Sequence, residues 1–342
     1  MSNKSPLRAA LTLLLLLSGY NAAAAQDNLP KAPKFESPVD CAVGADCWIV
    51  NYVDVDPTEG ALDFTCADRS YDTHKGVDFA VRSMTEVNEG INVRAALTGT
   101  VMRVRNGEDD KTKTKEELDS IKEARKECGN AILLDHGPAG FPGLRTMYCH
   151  LKNGSINVQP KDIVTTGQNI AQIGHSGLSE FPHLHFGTIW EGGIVDPFTG
   201  MNANEGCGKM KTTMWAKDSG ISYQSSVIFD AGFENKAPDF IAIQGGAEKP
   251  KSISPASDAL VFWAALYGMQ AGDEVHMEIR SASGDLFVER TTIQEKSRAR
   301  QYYFTGRRLK NASIRSGAYI GTARLKRKGK KDIVRTEKII VR

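Results

Sequence analysis

Short apolar runs separated by Gly, Pro and Asn fill the chain between about residues 41 and 208. This pattern is typical of β-strands joined by turns. Six strands are predicted here: Val77–Val81, Gly99–Val104, Ala131–Asp135, Thr146–Leu151, Asn169–Ile173 and His183–Ile189. The region from 41 to 208 is therefore interpreted as one β-rich domain.

Residues 107–127 break this pattern because they are highly charged. Thr114 and Glu117 have the spacing of a capping box, and Leu118, Ile121 and Ala124 follow at helical spacing. We predict a surface helix inserted between two strands. The insertion is either a lid over a cleft or a solvated helix.

A connector at 209–220 leads into a second β-rich stretch, residues 221–342. Short strands at regular spacing predict a small β-sandwich. The predicted strands are Ala259–Tyr267, Glu274–Arg280, Leu286–Ile293, Arg300–Thr305, Ala318–Leu325 and Ile333–Val341. The chain of 342 residues is long enough for about two such domains.

The first residues have the pattern of a secretory signal. Lys4 and Arg8 precede the apolar run Ala9–Leu17, and an A-x-A site ends at Ala25. A membrane anchor is the alternative, but the run is about half of the ~20 residues that a bilayer span requires. We therefore expect residues 1–25 to be removed, a polar lead-in at 26–40, and an exported protein without a transmembrane anchor.

Composition and charge exclude several classes. Hydrophobic residues make up 41% and charged residues 25%, which argues against a disordered or collagen-like chain. The net charge of +2 argues against a polybasic, nucleic-acid-binding protein. Residues 297–342 nevertheless carry a local charge of +13. This basic end either binds an anionic envelope polymer or is the solvated face of a hairpin.

Six cysteines in an exported chain are expected to form disulfides, with 15 possible connectivities. Cys128 and Cys149 flank a predicted hairpin and are the best-supported pair. Cys41 and Cys47 enclose a short loop, which would leave Cys66 and Cys207 to pair. No C-x-x-C motif occurs, so a zinc ribbon or a thioredoxin-type site is not supported.

Two compact clusters of histidine suggest a metal site. His74 and Asp78 stand four residues apart, where a turn enters a strand. His183 and His185 would lie on one face of a strand, because side chains alternate with period two. Both could bind one metal, or one could bind it while the other acts on water. The same rule places Tyr148 and His150 on one face, with Cys149 turned away.

A His/Asp/His set with one open position suits Zn²⁺, which in catalytic sites has three protein ligands and a water. Isolated histidines are more often hydrogen-bonded structural residues. We interpret His136, His175 and His276 in this way.

Taken in order, these motifs resemble the lysostaphin-type (LytM-like) zinc metalloendopeptidases that cut peptidoglycan cross-links. The resemblance covers roughly residues 72–198 and rests on His74-x-Gly76-x-Asp78, Tyr148-x-His150-Leu151 and Pro182-His183-Leu184-His185-Phe186. The resemblance implies an antiparallel β catalytic domain and says nothing about residues 221–342. Together with the inserted helix and the sandwich predicted from the strand pattern, we expect a mainly β fold with the catalytic domain at 41–208. Phe181 departs from the family pattern, which commonly has Gly there, and His175-Ser176-Gly177 replaces a more usual small polar run.

By this resemblance, His74, Asp78 and His185 would bind one Zn²⁺ per chain, and His150 and His183 would be unligated catalytic imidazoles. The predicted function is hydrolysis of peptidoglycan peptide stems or cross-links through a zinc-activated water. Two alternatives remain: a non-catalytic wall-binding activator of an amidase, and a zinc peptidase that acts on proteins. All five positions are intact, which favours an enzyme.

Overall fold

The structure, a computed structural model, describes residues 1–2, 32–309 and 313–342. Residues 33–342 form one compact unit. The predicted signal peptide, apart from its first two residues, and the start of the lead-in lie outside the described residues. Among the described residues, no helix has the length and apolar character needed to cross a membrane.

The fold is mainly β, with 41% of residues in strands and 8% in helices, which confirms the predicted fold class. The helices are α1 Met84–Glu89, α2 Lys115–Glu123 and α3 Phe240–Gln244. The strands are β1 Cys47–Asn51, β2 Gly76–Val81, β3 Asn92–Arg94, β4 Gly99–Arg105, β5 Asn130–Asp135, β6 Leu144–Leu151, β7 Ile163–Val164, β8 Asn169–Gln172, β9 His183–Trp190, β10 Gly193–Asp196, β11 Met201–Asn202, β12 Val227–Glu234, β13 Ser252–Ile253, β14 Ala259–Met269, β15 Glu274–Ser281, β16 Leu286–Ile293, β17 Arg298–Arg308, β18 Gly317–Lys326 and β19 Ile333–Val341.

A large antiparallel sheet has the strand order β1-β2-β9-β6-β5-β4-β7, and β10 and β11 extend it beyond β9. Its two faces differ because the strand sequences alternate. In β2, Val77, Phe79 and Val81 enter the main core, while Asp78 and Ala80 project from the opposite face. We call this opposite face the site face, because it carries the candidate residues.

The predicted surface helix is confirmed as α2. The Thr114 side chain accepts a hydrogen bond from the Glu117 backbone N–H, and the Glu117 carboxylate accepts one from the Thr114 N–H. None of the helix residues is buried. The helix is therefore held by its cap and by surface ion pairs rather than by a core.

The C-terminal strands form the predicted sandwich. One sheet has the order β12-β14-β17 and the other has the order β13-β19-β18-β15-β16. A separate core fills the space between them, including Leu260, Phe262 and Ile279. Strand β12 was not predicted. Its Gly232 lies under the Trp263 indole, where a Cβ atom would come within 2.9 Å of the ring.

The β12-β14-β17 sheet also packs against the large sheet. Every residue of β14 is buried, because one side of this strand meets the other C-terminal sheet and the other side meets β1 and β2. Trp48, Val50 and Ala80 of the site face contact an aromatic layer from the C-terminal strands that includes Phe229, Trp263 and Tyr267. The Tyr267 hydroxyl donates to the Val81 carbonyl at 3.1 Å.

Disulfides join Cys41 to Cys47, Cys66 to Cys207 and Cys128 to Cys149. The predicted bridge at the β5–β6 hairpin is thus confirmed. The other two predicted pairs also agree with the structure. Cys66–Cys207 joins positions 141 residues apart and so encloses most of the large sheet.

Candidate metal site and cleft

The adjacent strands β2 and β9 position most of the candidate residues. Asp78 pairs with His185, and Ala80 pairs with His183. His183 and His185 share the site face, as predicted, while Leu184 between them is fully buried in the core. His74 lies in the turn that leads into β2. The motif residues that are distant in sequence are thus brought together by one strand pairing.

Three atoms of ligand type converge at this point. His74 Nε2 lies 3.1 Å from Asp78 Oδ1 and 3.1 Å from His185 Nδ1, and His185 Nδ1 lies 2.9 Å from Asp78 Oδ1. The edges of a tetrahedron with zinc–ligand bonds of ~2.0 to 2.1 Å are about 3.3 Å long. Two imidazole nitrogens and one carboxylate oxygen at this spacing fit a single zinc ion.

Neighbouring groups orient these three side chains. His74 Nδ1 lies 2.7 Å from the Tyr52 carbonyl, so it carries the proton and leaves the Nε2 lone pair free. Asn51 Nδ2 donates to Asp78 Oδ2 at 2.8 Å, which leaves Oδ1 for the centre. At Gly76, a Cβ atom would lie 2.6 Å from His185 Nε2, so the ring requires glycine at this position.

His183 and His150 lie beside the three converging atoms. Their ring centroids are 4.6 Å apart, and His183 Nε2 is 3.7 Å from Asp78 Oδ1. His183 Nδ1 donates to the Phe181 carbonyl at 2.8 Å, and His150 Nδ1 donates to the Ser176 carbonyl at 2.8 Å. With both Nδ1 protons held by backbone oxygens, each Nε2 is a free proton acceptor.

The site sets clear protonation states. Burial alone would raise the pKa of Asp78, but attraction to the neighbouring imidazoles of His74 and His183 and hydrogen bonds from His185 and His74 outweigh it and hold the pKa well below its usual value. Burial lowers the pKa of His150 well below its usual value, and the proximity of two other imidazoles, His183 and His185, acts in the same direction because a proton on His150 would be repelled. At neutral pH, Asp78 is therefore a carboxylate and His150 a neutral imidazole.

One local expectation was wrong. Tyr148 and His150 do not share a face: Tyr148 packs on Phe186 in the core, while His150 faces the site. The pairing shifts between Asn130 and Ile132, so that Cys149 and His150 lie opposite the single residue Ala131. This β-bulge, with His150 at a φ of 59°, re-aims the imidazole into the cleft.

The three histidines set aside in the sequence are hydrogen-bonded structural residues. His136 bonds to Thr98 and Thr146, His175 Nε2 bonds to the Ser179 carbonyl at 3.0 Å, and His276 pairs with Glu289.

Phe181, the departure from the family pattern, is 5% exposed and packs on Tyr267 in the layer beneath the C-terminal strands. The Arg300 guanidinium lies 5.6 Å from the Phe181 ring centroid. Because the Phe181 carbonyl holds His183, the segment that orients this imidazole is covered by the C-terminal strands.

A cleft of about 820 Å³ opens over the site face. His74, His150 and His185 line one part of it. Its floor comes from β5 and β6, and the segment that follows α2 forms part of its wall through Arg125, Glu127 and Cys128. The inserted helix itself stays in solvent, whereas its C-terminal extension borders the cleft.

No curated protein matches this chain. Among solved structures, a zinc-containing peptidase from Vibrio cholerae is 24% identical, with a TM-score of 0.32 and coverage of 48% of this chain. This chain spans only 39% of that protein. The catalytic domain of the antimicrobial peptidase lysostaphin from Staphylococcus simulans is 25% identical, with a TM-score of 0.27 and coverage of 37% of this chain and 77% of that chain.

A third similar structure is the catalytic domain of a prophage-encoded M23 protein from Enterococcus faecalis, 19% identical, with a TM-score of 0.28 and coverage of 55% of this chain and 97% of that chain. The model of peptidase family M23 matches residues 72–197, the stretch that contains all five candidate residues. This agrees with the resemblance seen in the sequence. Residues 72–197 of this chain are therefore identified by their similarity to the peptidase domains of family M23.

Proposed function

We propose that this protein is an exported zinc metalloendopeptidase that hydrolyses peptide cross-links or stems of bacterial peptidoglycan. The observation that carries the proposal is the convergence of His74, Asp78 and His185 beside two imidazoles with free Nε2 atoms, at the base of an open cleft. His74, Asp78 and His185 would hold one zinc ion per chain. A bound zinc ion supplies a Lewis acid that polarises a carbonyl and lowers the pKa of water toward ~7.

His150 and His183 are the proposed catalytic residues. Each carries its own proton on Nδ1, fixed by a backbone carbonyl, so Nε2 can accept the proton of the attacking water. The imidazolium that results can stabilise negative charge on the substrate oxygen and donate a proton to the leaving amine. The two rings are adjacent, so we propose that they act together. Substitution of one ring at a time would show which ring accepts the proton and which stabilises the substrate oxygen.

Export is supported by the disulfides, because all six cysteines are paired and such bonds persist in oxidising compartments. We propose a periplasmic or secreted protein that begins after Ala25. N-terminal sequencing of the protein from its native host would test this cleavage. A sequence that still began at Met1 would contradict it.

The test of function is digestion of purified peptidoglycan with the zinc-loaded protein, followed by mass spectrometry of the released fragments. New peptide termini that disappear with a chelator and with His183→Ala are expected. Casein serves as the control for a protein-directed peptidase. Addition of a wall amidase tests the activator alternative. If fragments appear only when the amidase is present, and the wild type and His183→Ala release them equally, the protein is an activator of the amidase and not an enzyme.

The basic end is the proposed contact with an anionic envelope polymer. Lys326 and Arg327 are paired with Glu274 and Asp273, but Lys328, Lys330 and Lys331 are exposed at the β18–β19 turn. Such clustered charge attracts polyanions in a salt-dependent way.

Cosedimentation with isolated cell walls at low salt should weaken when Lys328, Lys330 and Lys331 are changed together to Gln. The full chain is used because removal of residues 221–342 would uncover Trp48 and Phe181. Unchanged binding would leave the turn as a solvated surface.

A further inference from the structure

The register of the large sheet connects the metal site to a distant group of arginines. Across the site face, Asp78 pairs with His185 and His185 pairs with Cys149. On the far side of β5, Ala131 pairs with Arg105 and Leu133 pairs with Arg103. Apart from Asp78, these residues line the cleft, so it extends from the metal site across β9, β6 and β5 to β4.

Three arginines line this cleft, and two of them lie on β4 at its far end. Arg103 and Arg105 are two residues apart on β4 and face the same way, and Arg125 comes from the segment after α2. Arg125 has a φ of 53°, and the adjacent Cys128 is tied to β6 by its disulfide with Cys149. The disulfide three residues later therefore anchors the backbone segment that carries Arg125 beside the cleft.

The part of the chain that the structure describes provides no acidic partner for these arginines. Among the described residues, none of the three arginines forms an ion pair, and Arg105 alone bonds to a backbone carbonyl, that of Gly129. Glu127 is the only acidic residue among the described residues that line the cleft, against Lys75 and the three arginines. Guanidinium groups that line one cleft repel one another and attract an anion, and a carboxylate can pair with a guanidinium group through two parallel hydrogen bonds.

The distance between the metal site and the arginines on β4 sets the length of a ligand that could contact both. Adjacent strands are ~4.8 Å apart, so β4 lies about 14 Å from β9, which carries His185. An extended peptide covers about 3.4 Å per residue, so this distance corresponds to about four residues.

We propose that Arg103, Arg105 and Arg125 form a carboxylate-binding subsite that selects acidic peptides, whose free carboxylate lies about four residues from the bond that is cut. The proposal rests on the proposed function and specifies the substrate class of that site. It predicts that the end of the insertion determines specificity without touching the reacting atoms.

Binding provides the first test and does not depend on turnover. Soluble muropeptides and the same muropeptides with carboxyl groups converted to methylamides are titrated into zinc-loaded His183→Ala protein. We expect methylamidation to weaken binding by about 10- to 100-fold, the range for loss of a charge-assisted hydrogen bond. The added changes Arg103→Gln and Arg125→Gln should remove this preference.

The matched control carries Arg290→Gln and Arg315→Gln, two exposed arginines outside the cleft, and should keep the preference. If the Arg103→Gln/Arg125→Gln protein still prefers the free carboxylates, the carboxylate is bound elsewhere and the subsite is refuted. Equal binding of both muropeptides by the protein with intact arginines refutes it as well.

Turnover separates this proposal from the proposed function. With His183 intact, the two arginine changes should raise KM for the free muropeptides by about 10-fold or more and leave kcat nearly unchanged. If no hydrolysis occurs but binding still depends on the arginines, the proposed peptidase activity is wrong and the carboxylate-binding subsite stands. If hydrolysis occurs and the arginine changes do not affect it, the proposed peptidase activity stands and the carboxylate-binding subsite is refuted.

Discussion

Over β1 and β2, the site face of the large sheet is covered by the C-terminal strands, whereas over β9, β6, β5 and β4 the same face is open to solvent. The covered half is aromatic and buried, and includes Trp48, Phe181 and Tyr267. The open half carries the imidazoles and the arginines. His183 lies at the border, since its strand neighbour Ala80 belongs to the covered half. One continuous sheet thus separates the groups that hold the structure from the groups proposed to react.

The largest expected effect is on the open half. His74→Ala, Asp78→Ala or His185→Ala should abolish both zinc content and hydrolysis, because each removes one of three proposed ligands. His150→Ala and His183→Ala should retain much of the zinc while turnover falls by ~10² or more. Elemental analysis and kcat measured on the same preparations would show the difference. Wild-type turnover in His150→Ala would remove His150 from the proposed mechanism.

The covered half should respond in stability instead. Trp48→Ala removes a side chain that is 2% exposed and packs on Phe229 and Tyr267, so we expect a loss of about 3 to 5 kcal/mol in the free energy of unfolding. Met147→Ala, at the partly exposed floor of the cleft, is the matched change in the open half and should cost less than about 1 kcal/mol. Urea unfolding measures both. Equal losses of unfolding free energy in the two variants would show that the covered half does not contribute more to stability than the open half.

A smaller effect concerns the loop between the halves. Burial lowers the pKa of His175 to about 4, with nearby His183 and Lys113 adding to the shift, so the folded protein holds this ring neutral. In the unfolded chain the same ring binds a proton near pH 6.5. The contribution of the neutral His175 to the free energy of unfolding is therefore complete above pH 6.5 and is lost as the pH falls toward 4. The full loss is about 3 kcal/mol at 1.36 kcal/mol per pKa unit.

His175→Gln can keep the bond to the Ser179 carbonyl but cannot titrate. Unfolding free energies measured from pH 7.5 to pH 4.5 should therefore fall less steeply in His175→Gln than in the wild type. Parallel curves for the two proteins would show that His175 is not held neutral by burial.

The smallest effect is expected in the inserted helix. Thr114→Ala removes the side chain that caps α2 and should destabilise the helix by about 1 kcal/mol. Because the helix buries none of its residues, the loss should be confined to faster amide exchange within Lys115–Glu123. The global unfolding midpoint should stay the same. A lowered midpoint would show that the helix supports the sheet.

The sequence was sufficient where the pattern is local. Alternation predicted the side of β9 that carries His183 and His185, and the capping pair Thr114 and Glu117 predicted α2. The ligand set could be proposed because its spacing reflects one strand pairing, Asp78 with His185. The assignment of domains at 41–208 and 221–342 stays a prediction, since residues 33–342 form a single compact unit.

Features that depend on partners distant in sequence could not be predicted. The orientation of His150 results from a bulge, which exists only because β5 supplies Ala131 opposite two residues of β6. Strand β12 contains Asp230 and Gly232, which weaken an apolar pattern; the structure pairs the first with Lys249 and packs the second under Trp263. The large apolar side chain at position 181 is likewise explained only by its packing on Tyr267, which is distant in sequence.

The Cys66–Cys207 bridge has a mechanical consequence. A force applied between the lead-in and the C-terminal strands would pass from Cys66 to Cys207 through the covalent bond, without loading the 141-residue interval that contains all five candidate residues. Under such a force, the strands of the site would carry no load while the rest of the chain carried the tension. Reduction of that bond would expose about 480 Å of additional extensible chain to the pull.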